Sequence, residues 1–147
     1  DDVVYVARVA TKRIMTIALA VGSRLPAYAT SMGRVLLAGM SEHELDDYLK
    51  RVTLKPLTPR AITSPDTLRA VITETREQGW VLVDQELEQG VRSVAAPLRD
   101  TSGRVVGAIN VSAHAARTTL DQLRREFVPA LLETAQAISR ALGHRPL

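Results

Sequence analysis

Cysteine is absent from this 147-residue chain, which excludes a disulfide framework and a thiolate metal site and suits a reducing cytoplasm, where we expect the protein to work. Aromatic residues make up only 3% of it. The core must therefore be filled by Ala, Val, Leu and Ile, with Trp80 as the expected anchor. No apolar run approaches the roughly 20 residues that cross a bilayer, and no stretch reads as a secretory leader, so no membrane partner is expected. Also missing are a Gly–x–Ser–x–Gly elbow, a phosphate-binding loop and any paired-histidine metal spacing, which points to no metal and no cofactor. The three histidines, His43, His114 and His144, lie far apart in the chain. A net charge of +3 and a calculated pI of 9.7 would suit nucleic acid. The basic residues, however, are scattered singly among acids with no run and no interleaved aromatics, which is the pattern of a solvated surface. Nothing repeats, and no segment is of low complexity.

What is present suffices for one domain: 46% apolar residues over this length can close a core. Residues 3–9 and 15–20 are short and rich in β-branched or apolar side chains, and the segment 11–13 between them reads as a hairpin turn. A helix is expected from about Ser31 to Ala38, stopped by Gly39. Ser41 and Glu44 form a capping box that opens a second helix to about Arg51. Residues 53–62 carry Pro56 and Pro59 and read as a loop. Ser64 caps a third helix, with Pro65 at its first position, running to Gln78 and ending at Gly79. Strands are expected over 80–86, 91–99 and 105–113. From Thr118 a long helix follows, apolar at Leu120, Leu123, Phe127, Leu131, Ala135, Ile138 and Leu142, with Pro129 expected to kink or split it near Phe127. Two groups of strands around helices imply an α+β domain with a mostly antiparallel sheet.

Two features could make a ligand site. The stretch 22–38, GSRLPAYATSMGRVLLA, puts Thr30, Ser31 and Gly33 directly before an apolar run. Either Thr30 or Ser31 can serve as N-cap, and small side chains there would let an anion reach the first N–H groups of the helix. The second feature lies in the strands 91–99 and 105–113. If Asp100–Gly103 is a four-residue turn, Ala95 faces Ala108, Ser93 faces Asn110 and Val91 faces Ser112. One sheet face then carries Ser93, Asn110 and Ser112 beside small neighbours, and the other carries Val94, Ala96, Leu98, Ile109 and Val111 as core. The polar face can be read as a shallow pocket or as the ordinary wet side of a half-buried sheet. Arg34, Asp84 and Glu86 read as structural ion-pairing groups, and Arg92 falls on the face opposite Ser93.

Gly22, Arg24, Pro26, Gly33 and Arg34, then Gly79, Trp80, Asp84, Glu86 and Gly90, and finally Ala95, Pro97, Asp100, Gly103 and Arg117 fall in order along nearly the whole chain. In that pattern the sequence resembles the effector-binding domain of IclR-type bacterial transcription regulators. The resemblance implies a GAF-like fold, a twisted sheet with helices on its faces, over residues 1–147. It also implies that a winged helix-turn-helix and linker precede the domain in the whole regulator, so that operator DNA is bound only through that other segment. By the same resemblance the effector is a small organic acid: glyoxylate or pyruvate in some members, hydroxybenzoates, protocatechuate or ketoadipate in others. The wording of residues 22–41 is nearest the aromatic-acid catabolism branch. The effector would sit between the helix start and the sheet, touching Ser31, Met32, Gly33, Ser93, Asn110 and Ser112, with Met32 and Val83, and more weakly Leu36, as apolar wall. Assembly as a dimer or tetramer is implied too, and the last helix keeps an apolar stripe beyond Pro129 that is expected to serve it. Two departures stand out: Ser31–Met32–Gly33–Arg34 where many members have Gly–x–Gly–Lys/Arg, and Ser112–Ala113–His114 where many have Ser–Gly–Pro.

Two other function classes compete with a binding module. A small hydrolase-like or other enzyme acting on an organic acid would need a catalytic constellation, and none is recognisable. Direct DNA binding by a helix-turn-helix over residues 29–51 is opposed by Glu42, Glu44, Asp46 and Asp47, which would repel phosphates.

Overall fold

The structure, a computed structural model, describes residues 1–9 and 19–145. Its elements are β1 (Asp2–Val4), β2 (Arg24–Pro26), α1 (Ser31–Ala38), α2 (Glu42–Arg51), α3 (Pro65–Gln78), β3 (Val81–Asp84), β4 (Val91–Arg99), β5 (Val105–His114), α4 (Leu120–Gln122) and α5 (Val128–Ala141). Strands β3–β4–β5 form one antiparallel sheet, and β1 pairs antiparallel with β2 in a second, two-stranded one. The domain is α+β, as the strand and helix grouping implied. The expected turn at 11–13, and most of the strand expected over 15–20, lie outside the described residues. Of the strand expected over 3–9 only its start is formed, and it pairs with β2, where no strand was expected.

Helix boundaries follow their caps. Ser41 and Glu44 make the reciprocal capping box, with the Ser41 N–H donating to the Glu44 carboxylate at 2.8 Å. Ser64 caps α3, Pro65 occupies its first turn, and Gly79 ends it in the left-handed conformation (φ 80°) that its missing side chain permits. The last helix is capped by Thr119, one residue later than expected. Pro129 has no N–H to give, and the helix accommodates this by passing through a π turn over Leu123–Phe127 before α5.

Two layers cover the three-stranded sheet. On one face, Val94 and Ala96 pack against Leu123, Val128, Leu131 and Ala135 of the C-terminal helix. That helix therefore spends its apolar stripe inside the domain, which corrects the expectation that the stripe was free for self-association. Val111, expected in the same core, is 36% exposed, whereas Trp80 packs at its edge. On the other face, α1 lies across the sheet, with Met32 and Val35 against Val81, Ala95, Val105 and Ala108. Behind α1, a further apolar cluster of Tyr28, Leu37, Leu45, Tyr48, Leu68 and Ile72 ties it to α2 and α3. Helix α1 is thus buried between the sheet and this cluster, whereas α2 buries Leu45, Tyr48 and Leu49 and exposes Glu42, Glu44 and Asp47.

Candidate functional site

The first turn of α1 is set by three contacts. Thr30 is the N-cap, and its Oγ1 accepts from the Gly33 N–H at 3.1 Å. The Arg34 N–H bonds the Thr30 carbonyl at 3.0 Å, the first bond of the helix proper. This leaves Ser31 and Met32, the first two helical residues, with N–H groups that have no backbone acceptor among the described residues. Gly33 does a different job from the one expected of it. Its N–H is committed to Thr30, and a Cβ at this position would lie 2.1 Å from the Ala27 carbonyl oxygen. It is a seat for the helix and offers no donor to a ligand.

Arg34 is 1% exposed and holds the base of this turn. Its Nε donates to the Tyr28 carbonyl at 2.9 Å, and its two terminal nitrogens grip both carboxylate oxygens of Glu86. A planar guanidinium facing a carboxylate in this two-pronged way is the strongest geometry available to an ion pair. Asp84, two residues earlier, is clasped by Arg92 at 2.6 Å and by Arg60 at 2.6 Å. Burial works to raise the Asp84 pKa, but the hydrogen bonds from Arg92 and Gln85 and the charges of Arg92 and Arg60 outweigh it and hold the group below its ordinary value. Arg34, Asp84 and Glu86 are structural, as their pattern suggested. Arg92, on the face away from Ser93, also donates to the Ala115 and Thr118 carbonyls.

The register of β4 against β5 differs from expectation by two residues. Ser93 faces Ser112, Ala95 faces Asn110 and Pro97 faces Ala108. Two separate one-residue additions cause this. The Asp100 carboxylate accepts from the N–H groups of Ser102 and Arg104, which lengthens the loop to five residues. A bulge between Leu98 and Arg99 supplies the second. A one-residue slip would have exchanged the faces, but two slips restore them. Ser93, Asn110 and Ser112 therefore share a face, beside Ala95 and Ala108, and Val83 joins their row opposite Ser93.

This face is the one α1 covers. The helix ends beside Pro97 and Val105, and Met32 packs with Ala95 and Ala108. Its first turn lies on this same face of the sheet. Of the expected site residues, Val83, Ser93, Asn110 and Ser112 share this sheet face, and Ser31, Met32 and Gly33 open the helix that covers it. Leu36 packs into the cluster behind α1 and is not part of it. The Asn110 amide donates to Ser112 Oγ at 3.3 Å. A residue the sequence reading passed over also enters. The Tyr5 phenol is half-buried and hydrogen-bonds Asn110, and its burial raises the pKa against the lowering effect of that bond and of Arg8. Its only trace in the sequence is an aromatic in an aromatic-poor chain.

No carboxylate belongs to this row, so the region offers two uncommitted N–H groups, two hydroxyls and an amide set among small apolar residues. Such a set suits an anion of modest size. A cavity of about 340 Å³ opens elsewhere, at the far end of α1 among residues of α2, α3 and the β4–β5 hairpin. Among the described residues no cluster of His, Cys, Asp or Glu could hold a metal, and no helix is long and apolar enough to cross a membrane.

The same fold, a helix-flanked antiparallel sheet of GAF-like type, occurs in solved transcription regulators. One from Rhodococcus sp. RHA1 superposes with a TM-score of 0.94 at 51% identity, over 97% of this chain and 58% of that one. A double mutant of the inducer-binding domain of PobR from Acinetobacter, in complex with 3-hydroxybenzoic acid, superposes with a TM-score of 0.82 at 29% identity, over 88% of this chain and 74% of that one. Residues 1–140 match the family described as the bacterial transcriptional regulator IclR C-terminal domain, and the chain belongs to that family. Among curated relatives, the Pca regulon regulatory protein of Pseudomonas putida is 51% identical over 99% of this chain and 49% of its own length. The chain spans about half the length of the curated relatives it matches. These relatives are transcriptional regulators and not enzymes, which sets the hydrolase alternative aside.

Proposed function

We propose that this chain senses a small carboxylic acid for a transcription regulator, and that the acid is aromatic. The carboxylate lies against the N–H groups of Ser31 and Met32. Ser93, Asn110 and Ser112 hold the remaining polar atoms, and Met32 and Val83 flank the ring. What supports this reading is the pair of amides at the start of α1 with no backbone acceptor among the described residues, on the helix that covers the sheet face carrying Ser93, Asn110 and Ser112. The charge of the anion is met by helix-start donors, and the buried Arg34 is unavailable because Glu86 already holds it. Support for an aromatic acid comes from the 3-hydroxybenzoic acid complex of the PobR domain and from 51% identity to a Pca regulon regulator. In the whole regulator, occupancy would alter operator binding through a segment outside this chain, and the protein would work as a dimer or tetramer.

Calorimetry with 3-hydroxybenzoate tests the site. Ser93→Ala and Asn110→Ala should each weaken binding, and Ser31→Leu should abolish it by covering the helix-start donors. Unchanged affinity in all three variants would refute the placement. Sedimentation of the 147-residue chain tests the assembly, and a monomer at micromolar concentration would count against it.

A further inference from the structure

The cavity at the far end of α1 has its own chemistry. Its apolar wall comes from Val35, Ala38, Met40 and Val105, where the helix ends against the β4–β5 hairpin. Three arginines also line it, and two of them are matched to acids. Arg76 donates to the Ala38 and Met40 carbonyls and pairs with Glu42. Arg104 pairs with Asp100 at 3.3 Å. Arg99 is half-buried, and its guanidinium has one bond among the described residues, from Nη1 to the Gly103 carbonyl at 2.9 Å. No carboxylate among the described residues pairs with it. A buried or half-buried guanidinium is ordinarily matched to an acid, because leaving its remaining donors unmet costs free energy. Arg99 therefore presents a cation without a carboxylate partner to a recess of mixed apolar and polar wall, on the opposite end of α1 from Ser31.

We infer that this cavity is a second small-molecule site, taking a compact monocarboxylate with an apolar body and anchoring it through the Arg99 guanidinium. The size of about 340 Å³ lies within the range of natural small-ligand pockets. A single uncompensated cation matches one negative charge, and the Glu42 carboxylate in the wall disfavours a dianion such as a phosphate ester. The helix-end carbonyls that would repel an anion are already covered: Gly39 N–H bonds those of Val35 and Leu36, and Arg76 takes that of Ala38. This inference stands apart from the site at Ser31, which contains no arginine free to act.

Methyl NMR of the 147-residue chain separates the two sites, with benzoate as the probe and neutral benzamide as its uncharged counterpart. Benzoate should shift the methyl signals of Val35, Ala38, Met40 and Val105 saturably, and benzamide at equal concentration should not. Arg99→Gln should weaken that response by at least about tenfold, with Arg99→Lys recovering part of it. The methyls of Met32 and Val83 report the other site, and their response should be the same in both variants. Cavity methyls that ignore benzoate, that respond equally to benzamide, or that respond undiminished in a folded Arg99→Gln chain would each overturn the inference. The benzoate–benzamide comparison on the unmodified chain decides the matter even if a variant fails to fold.

Discussion

Gly33→Ala sets two effects of opposite sign against each other in the helix that carries the site. In an exposed helix the exchange stabilises by about 1 kcal/mol, because alanine loses less backbone freedom on folding. Here the new Cβ would lie 2.1 Å from the Ala27 carbonyl oxygen, 2.4 Å from its Cα and 2.6 Å from its carbonyl carbon. All three are backbone atoms, so no side chain can rotate aside, and α1 must rise off the 3₁₀ turn Ala27–Ala29. Overpacking a filled core costs about 1–3 kcal/mol, and a purely backbone clash belongs at the upper end. Setting roughly 3 against roughly 1 leaves a net loss of about 2 kcal/mol. For a domain of this size that is a fall of roughly 4–8 °C in Tm. Thermal unfolding with a urea titration in parallel measures it, and calorimetry on the folded variant should show weakened carboxylate binding as the Ser31 and Met32 amides move. A Tm equal to or above that of the unmodified chain would refute the argument, because the propensity gain would then have met no steric opposition.

Ser93→Ala and Asn110→Ala should each cost about 0.5–2 kcal/mol of 3-hydroxybenzoate affinity by calorimetry, the range for one hydrogen bond to a neutral or charged partner. Glu86→Gln removes the one carboxylate that, among the described residues, pairs with the buried Arg34 guanidinium, and should destabilise the fold by about 3 kcal/mol or more in urea unfolding. Arg92→Ala should leave the binding constant of the folded protein unchanged yet lower its Tm, since Arg92 joins Asp84 to the Ala115 and Thr118 carbonyls on the opposite face of the sheet. Asp100 is held at about 2, from an ordinary 3.8, chiefly by the Ser102 hydroxyl and also by the N–H groups of Ser102 and Arg104. Its folded value is depressed, so its contribution is present above its ordinary pKa and is lost as pH falls from about 3.8 toward 2. Asp100→Asn should flatten the stability profile across that window in acid unfolding.

Local chemistry was legible in the residues themselves. The Ser41–Glu44 box, Ser64 with Pro65, and the arrest at Gly79 fixed α2 and α3 because each depends on neighbours within four positions. Strands β4 and β5 emerged within a residue of their ends from their β-branched content. The face shared by Ser93, Asn110 and Ser112 was legible despite a wrong register, because two offsets of one residue cancel in a period of two. Those offsets were not legible. The bulge at Leu98 answers to the whole hairpin, and an Asp at position 100 can close a four-residue or a five-residue loop, so its identity does not choose between them. Contacts between distant segments were hidden for the same reason. Arg34 and Glu86 could be assigned as pairing groups, but nothing local says that they pair with each other or that Tyr5 meets Asn110. Gly33 was misread because a helix-start glycine looks alike whether it admits a ligand or another turn of backbone.

Helix α1 is only eight residues, about 12 Å long, yet it is bolted at both ends and in the middle. Glu86 clamps its buried arginine, Arg76 holds the carbonyls where it stops, and Gly33 is wedged on Ala27. Sliding it along its axis breaks all three attachments together, so it behaves as a short strut. The loop of residues 85–90 is tied to this strut. That loop hangs from the strut by Glu86, contains Gln85 in a left-handed conformation (φ 59°), and is braced on its other side by the Thr58 hydroxyl at the Gln85 carbonyl. A displacement of the helix start would therefore pass through Glu86 to that loop and to the Thr58 hydroxyl that braces it.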